Sequence, residues 1–141
     1  MNNTKSKVNK ETLEANLKRF TGSMTPPYRY SVLFPRLHLT EGARYLAEHG
    51  YYWLMDVIGS CQGIPEIAND PMLQQIQFWR LEVKDDRCSA VVYCDRDTDD
   101  TVYTQELVYT DSILDSLTVY VQPLYFYNKE GKLLILLPDE Y

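Results

Sequence analysis

The 141-residue chain has few of the residues from which reactive centres are usually assembled. It holds two histidines, three cysteines and six glycines scattered singly. His38 and His49 stand apart, and no CxxC, HxxxH or HExxH spacing occurs, so the ligand sets that zinc needs are missing. No glycine-rich loop is present to cradle a phosphate, and Ser60 and Cys61 lack the glycine frame of a nucleophile elbow. Apolar runs are short: the longest is five residues, as in Leu133–Leu137, against the roughly 20 a bilayer-spanning helix needs. The opening MNNTKSKVNK is basic but has no apolar core of the signal-peptide kind. No metal, no cofactor and no membrane are therefore expected. Three cysteines cannot all pair within one chain, and a strand carrying both Cys88 and Cys94 would hold them about 20 Å apart at ~3.3 Å per residue. With Cys61, they read as small buried apolar side chains in a reducing cytoplasm.

What the chain does have is unevenly placed charge. Its first 36 residues carry seven Lys/Arg against two Glu, a net +5, and the remaining 105 carry seven against eighteen Asp/Glu, a net −11. The whole-chain charge of −6 thus hides a basic arm on an acidic body. Lys5, Lys7, Lys10, Lys18, Arg19, Arg29 and Arg36 could bind phosphates with release of counterions. The acidic body would repel the same polyanion, so direct nucleic-acid binding is disfavoured. An arm lying on its own domain, or on a second copy, is expected instead.

Patterning along the chain predicts α+β: helices packed on one face of an antiparallel meander of about five strands. Residues 1–8 read as a disordered basic tail, and 9–141 as a single domain. Asn9 is an N-cap with Leu13, Leu17 and Phe20 following at helical spacing and Gly22 closing the segment. YRYSVLFPRLHL is extended. Thr40 caps a second helix through Ala43, Leu46 and Ala47, stopped near His49 and Gly50. In YYWLMDVIGSCQ, Trp53, Leu54, Val57, Ile58 and Cys61 form a helical stripe; a buried strand is the competing reading. Asp70-Pro71 starts a short turn through Leu73. From Ile76 the period becomes 2, giving QFWRLEV, CSAVVYC, VYTQELVY, LTVYVQ and LLILLP, separated by polar turns, the last at Asn128–Gly131.

Candidate sites are sparse. Asp95, Asp97, Asp99 and Glu106 match positions 1, 3, 5 and 12 of a calcium loop, but Asp100 replaces the glycine that loop needs and the flanks read as strands. The segment is better read as a solvated acidic hairpin tip. Asp56 and Ser60 stand at i and i+4, a spacing that could orient a nucleophile but more often satisfies two polar groups. Twelve tyrosines are the stronger hint, because tyrosine offers large contact area at low entropy cost. Alternation places Tyr103 and Tyr109 on one side with Leu107, and Tyr120 outward. Tyr103, Tyr109 and Tyr120 with Asp97, Asp99 and Asp100 are the expected binding residues. The terminal Asp139, Glu140 and free carboxylate form an acidic tip that could reach the basic arm.

Four segments, YWLMDVIGS (52–60), FWRLEV (78–83), YTDSIL (109–114) and LLPDEY (136–141), together resemble an uncharacterised bacterial domain family of unknown function. The resemblance covers about residues 12–141, with Thr40-Glu41-Gly42 matching a TDG-like helix start. The chain departs from it at Ser112-Ile113-Leu114, where a proline usually follows the turn, and in a longer QPLYFYNKEGK stretch. The resemblance supplies no catalytic residues. It marks Tyr52, Trp53, Asp56, Ser60, Asp111, Glu140 and Tyr141 as motif residues of unknown role, and implies a bacterial cytoplasmic domain, with phage or plasmid as a source.

These features lead to a protein-interaction module whose partner has a basic surface, such as an inhibitor or decoy acting on a host nucleic-acid-binding defence protein; a second copy of the chain is a further candidate partner. The alternatives are a small enzyme with Asp56, Ser60 or Asp111 in a pocket between helices and sheet, and a nucleic-acid binder acting through the arm.

Overall fold

A computed structural model describes residues 9–21, 26–97, 100–124 and 131–141. The tail 1–8, Gly22, Asp99 and most of the turn near Asn128 lie outside the described residues. Helix α1 (Lys10–Leu17) starts where expected, with the Asn9 side chain accepting the Thr12 N–H at 2.8 Å. Strands β1 (Tyr28–Ser31) and β2 (Phe34–Leu39) form a hairpin from the segment read only as extended. Thr40 caps α2 (Glu41–Leu46), which runs through a widened π turn (Ala47–Tyr51) directly into α3 (Tyr52–Cys61). Gly50 makes that bend at φ +105°, a conformation that side chains with a Cβ rarely adopt. The apolar segment read as helix in preference to strand is thus a helix, with Leu54, Met55, Ile58 and Cys61 buried. A one-turn α4 (Pro65–Ala68) follows, and Asp70 then accepts the Met72 and Leu73 N–H groups to tie a turn.

Strands β3 (Gln77–Val83), β4 (Ala90–Asp95), β5 (Thr101–Leu107), β6 (Ser116–Pro123) and β7 (Leu133–Leu136) are the five expected from the period-2 segments. The sheet they join is larger and wound differently from the meander expected. It has seven strands in the order β1-β2-β7-β6-β3-β4-β5, and β2 runs parallel to β7. The α+β class stands; the count of about five strands and the wholly antiparallel arrangement do not. The cause is the segment 108–115, which carries the chain back past β4 and β3 so that β6 pairs with the far side of β3. Buried Leu114 anchors this crossover, and its N–H donates to the Tyr51 hydroxyl at 3.3 Å.

Alternation gives the sheet two different faces. Trp79, Leu81, Val92, Cys94, Val119, Val121 and Ile135 are buried in one cluster with Leu13, Leu46, Leu54 and Ile58 of the helices. The Trp79 indole donates to Gln77 Oε1 at 2.8 Å, and the Gln77 and Gln62 amides bond each other reciprocally at 2.9 Å. The opposite face carries Phe78, Arg80, Glu82, Tyr93 and Tyr120 in register. Arg80 there donates to buried Asp95 at 2.8 Å and lies 3.9 Å above the Tyr93 ring.

Cys61 and Cys94 are buried, but Cys88 lies outside β4 and is exposed, correcting its assignment to the core. Burial pushes the Cys61 thiol up and the Cys94 thiol up to about 12, so neither supplies thiolate near neutrality. An aromatic disulfide reagent at neutral pH is therefore expected to label Cys88 alone in the folded chain, and all three cysteines after denaturation. Rapid native labelling of Cys94 would contradict this packing.

Candidate functional site: the groove between α3 and strand β5

On α3, Trp53 and Val57 stand one turn apart and half-buried, so they form an apolar ridge beside the core instead of within it. Facing them, the end of β5 and the start of the crossover supply Leu107, Tyr109, Thr110 and Asp111. Together these six residues line a groove of roughly 350 Å³. A smaller cleft of roughly 110 Å³ adjoins it through Asp111, lined by His49, Gly50, Tyr51, Ser112 and Ile113.

The walls are held by buried polar contacts. The Tyr51 hydroxyl pairs with Ser112 Oγ at 2.7 Å, and Ser112 Oγ donates to the Leu114 carbonyl at 2.9 Å. Burial raises the Tyr51 phenol, so it stays protonated and available as a donor. Thr110 donates its N–H to the Cys88 carbonyl at 2.7 Å, fixing the crossover beside the β3–β4 turn. In that turn, Asp86 accepts the Cys88 and Ser89 N–H groups, which holds its carboxyl below the usual range. Tyr109, which lines the groove, is 72% exposed, and the neighbouring Val108 is 94% exposed.

The expected site residues separate onto different surfaces. Trp53, Tyr109 and Asp111 meet at the groove. Tyr103 faces the helices, edge-on to Trp79 with its hydroxyl on Gln105, and burial raises its phenol. Tyr120 faces the other way and packs between Phe78 and Tyr141. Asp97 and Asp100 lie in the β4–β5 turn, at the opposite end of β5 from Tyr109, and Asp99 is outside the described residues. Asp100 pairs with Arg96, which also holds Asp70. Asp95, first in the calcium-loop match, is committed to Arg80 and to the Thr101 hydroxyl.

Other motif residues have structural work. Asp56 accepts the Tyr30 hydroxyl at 2.6 Å, and among the described residues no hydrogen bond joins it to Ser60. Burial, and then Asp56, push the Tyr30 phenol well above its ordinary range. Tyr52 stacks on Tyr30. Among the described residues, Glu140 forms no ion pair with a cation of the basic arm. It accepts the Thr40 hydroxyl at 2.5 Å and the N–H groups of Gly42 and Leu137 at 2.9 and 3.0 Å, clasping the C-terminus to the start of α2. Among the described residues of the arm, Lys10 pairs with Asp115, and Arg29 and Arg36 belong to β1 and β2.

Thr40-Glu41-Gly42 and the terminal Leu137–Glu140 therefore form one contact, and Tyr51 joins the residues beside Trp53 to those after Tyr109. The sequence segments that stood out separately are pieces of one assembly. The chain belongs to DUF6876, a family of unknown function. The family model matches residues 11–141, nearly all of the chain. No curated protein and no solved structure matches it significantly. Among the described residues of this DUF6876 chain, no helix is long and apolar enough to cross a membrane. Val57, Leu107, Thr110 and the smaller cleft escaped the sequence reading; the Trp53–Val57 spacing was the one signal that pointed there.

Proposed function

We propose that this DUF6876 chain is a protein-interaction module that receives a partner with a basic surface at the α3–β5 groove. The observation that carries the reading is the groove itself: apolar walls from Trp53, Val57 and Leu107, the exposed Tyr109 ring, and Asp111 at the junction with the second cleft. Aromatic anchors beside a charged rim are what an interface centre requires. The chain's net charge of −6 favours association with cationic surfaces and makes it sensitive to salt. A bacterial or mobile-element protein of this kind would suit the role of a decoy, occupying the basic nucleic-acid groove of a defence protein.

The enzyme alternative is less well supported, because Asp56 and Ser60 lie on the exposed side of α3 and only Asp111 of that trio lines either groove cavity. Binding of nucleic acid through the arm is weakened by the Lys10–Asp115 pair. Affinity capture from a lysate of the source cells tests the proposal. A protein partner retained at low salt, released at high salt and resistant to nuclease is the expected result. Retention of nucleic acid alone, or of nothing beyond a charge-matched control protein, would contradict it.

A further inference from the structure

We propose that β5 accepts an extended segment of the partner as an additional antiparallel strand, with alternate apolar side chains on the helix side, the one beside Leu107 entering the α3–β5 groove, and the intervening ones carrying Lys or Arg. This rests on the interaction-module reading above and names the chemistry of its partner. Both edges of the described sheet are known, and they differ. Strand β1 has only four residues, a length that discourages further pairing. Strand β5 has seven, with neither proline nor lysine, and its one register irregularity is confined to the Thr101–Tyr103 end.

Its free backbone groups can be assigned. The Lys84 N–H donates to the Ser89 carbonyl at 2.8 Å, so these opposed residues are a hydrogen-bonded pair. Alternation along the β3–β4 register then turns the backbone groups of Ala90, Val92 and Cys94 toward β5, where they face Leu107, Gln105 and Tyr103. The N–H and C=O groups of Thr104 and Glu106 are consequently directed to the outer edge. Among the described residues, the backbone of 101–107 makes no hydrogen bond beyond the β4 ladder.

The same alternation fixes what an incoming strand would need. Side chains beside Tyr103, Gln105 and Leu107 would point to the helix side and must be apolar, the one beside Leu107 lying toward Trp53 and Val57. Those beside Glu106 would point to the open face, where Lys84 lies 3.9 Å from that carboxylate. A cation opposite Glu106 makes a favourable cross-strand pair. Asp111 lines the groove beyond the Leu107 end, which favours positive charge there. A second copy would instead bring another chain of charge −6 to the same edge.

The probe is a short synthetic peptide alternating valine and lysine, titrated into the full chain and followed by amide hydrogen exchange and NMR shifts. Binding with protection of the Thr104 and Glu106 amides is expected. Thr104→Pro removes one outward donor without touching the β4 ladder and should weaken binding about tenfold, the worth of one good hydrogen bond, whereas Thr104→Ala should leave it nearly unchanged. A peptide N-methylated on its lysine amides, the ones opposed to Thr104 and Glu106, makes the same test with the protein unaltered. Unchanged binding of the N-methylated peptide would overturn strand addition while leaving a charge-driven interaction module intact. Equal binding of a valine–glutamate peptide, or no binding of the lysine peptide, would also overturn the inference, and the capture experiment then judges the broader reading separately. Concentration-dependent protection of both amides without peptide would assign the edge to a second copy, and would overturn it too.

Discussion

Replacing Trp79 by alanine should cost about 3–5 kcal/mol of stability, the range for removing a fully buried aromatic side chain. A loss of that size corresponds to a fall in Tm of roughly 10–15 °C for a chain of this length. Trp79 is 1% exposed at the middle of β3, against the central helices and edge-on to Tyr103. It also gives its indole N–H to Gln77, itself 1% exposed, whose amide otherwise bonds only Gln62. Alanine would thus leave a cavity and an under-satisfied buried amide together. Phenylalanine keeps most of the apolar area but not the donor, and should cost about 1–3 kcal/mol. Thermal denaturation of both variants checks the order. A Tm within two or three degrees of wild type for the alanine variant would mean that this core is wrongly described.

The C-terminal clasp carries the second large effect. Glu140→Ala is expected to cost about 2 kcal/mol, because one half-buried carboxylate serves a hydroxyl and two backbone N–H groups. Gly42 is bound to the same contact. A Cβ built there would lie 2.7 Å from Glu140 Oε1 and 2.7 Å from Leu137 Cδ1, so Gly42→Ala must push the clasp open, at about 1–3 kcal/mol. Since both substitutions break one contact, the double variant should lose less than the sum of the singles. Urea denaturation of the four proteins measures this coupling. Strict additivity would show that Gly42 is needed for some other reason.

Much of the fold was legible because its elements obey simple periods. Asn9 and Thr40 cap their helices as their side-chain chemistry predicts, and the switch to period 2 at Ile76 located five strands. The order of those strands was not legible. Local pattern says where a strand is, whereas the return of β6 to β3 depends on Leu114, Ser112 and Tyr51, whose contacts span up to 63 residues. The β1–β2 hairpin escaped notice for a different reason. Its turn is Val32-Leu33, 83% and 78% exposed, without the Gly, Asn or Asp that usually marks a turn. At the candidate site, one wall was visible as the Trp53–Val57 spacing. The other wall exists only because the crossover lies beside α3. Charge counting could not show where the charges go: among the described residues the basic first 36 supply helix α1, strand β1 and the start of β2, and several of the acidic side chains are paired.

If the α3–β5 groove is where this chain meets its partner, groove substitutions must weaken binding and open-face substitutions must not. The most direct measurement is the affinity of the captured partner for wild type, for Trp53→Ala/Tyr109→Ala in the groove, and for Tyr120→Ala on the open face of the sheet. The groove variant should lose at least tenfold in affinity, about 1.4 kcal/mol, with little change for the open-face variant and native-like circular dichroism for both. Undiminished affinity in the groove variant, with the loss appearing at Tyr120, would contradict the claim and move the interface to the opposite face.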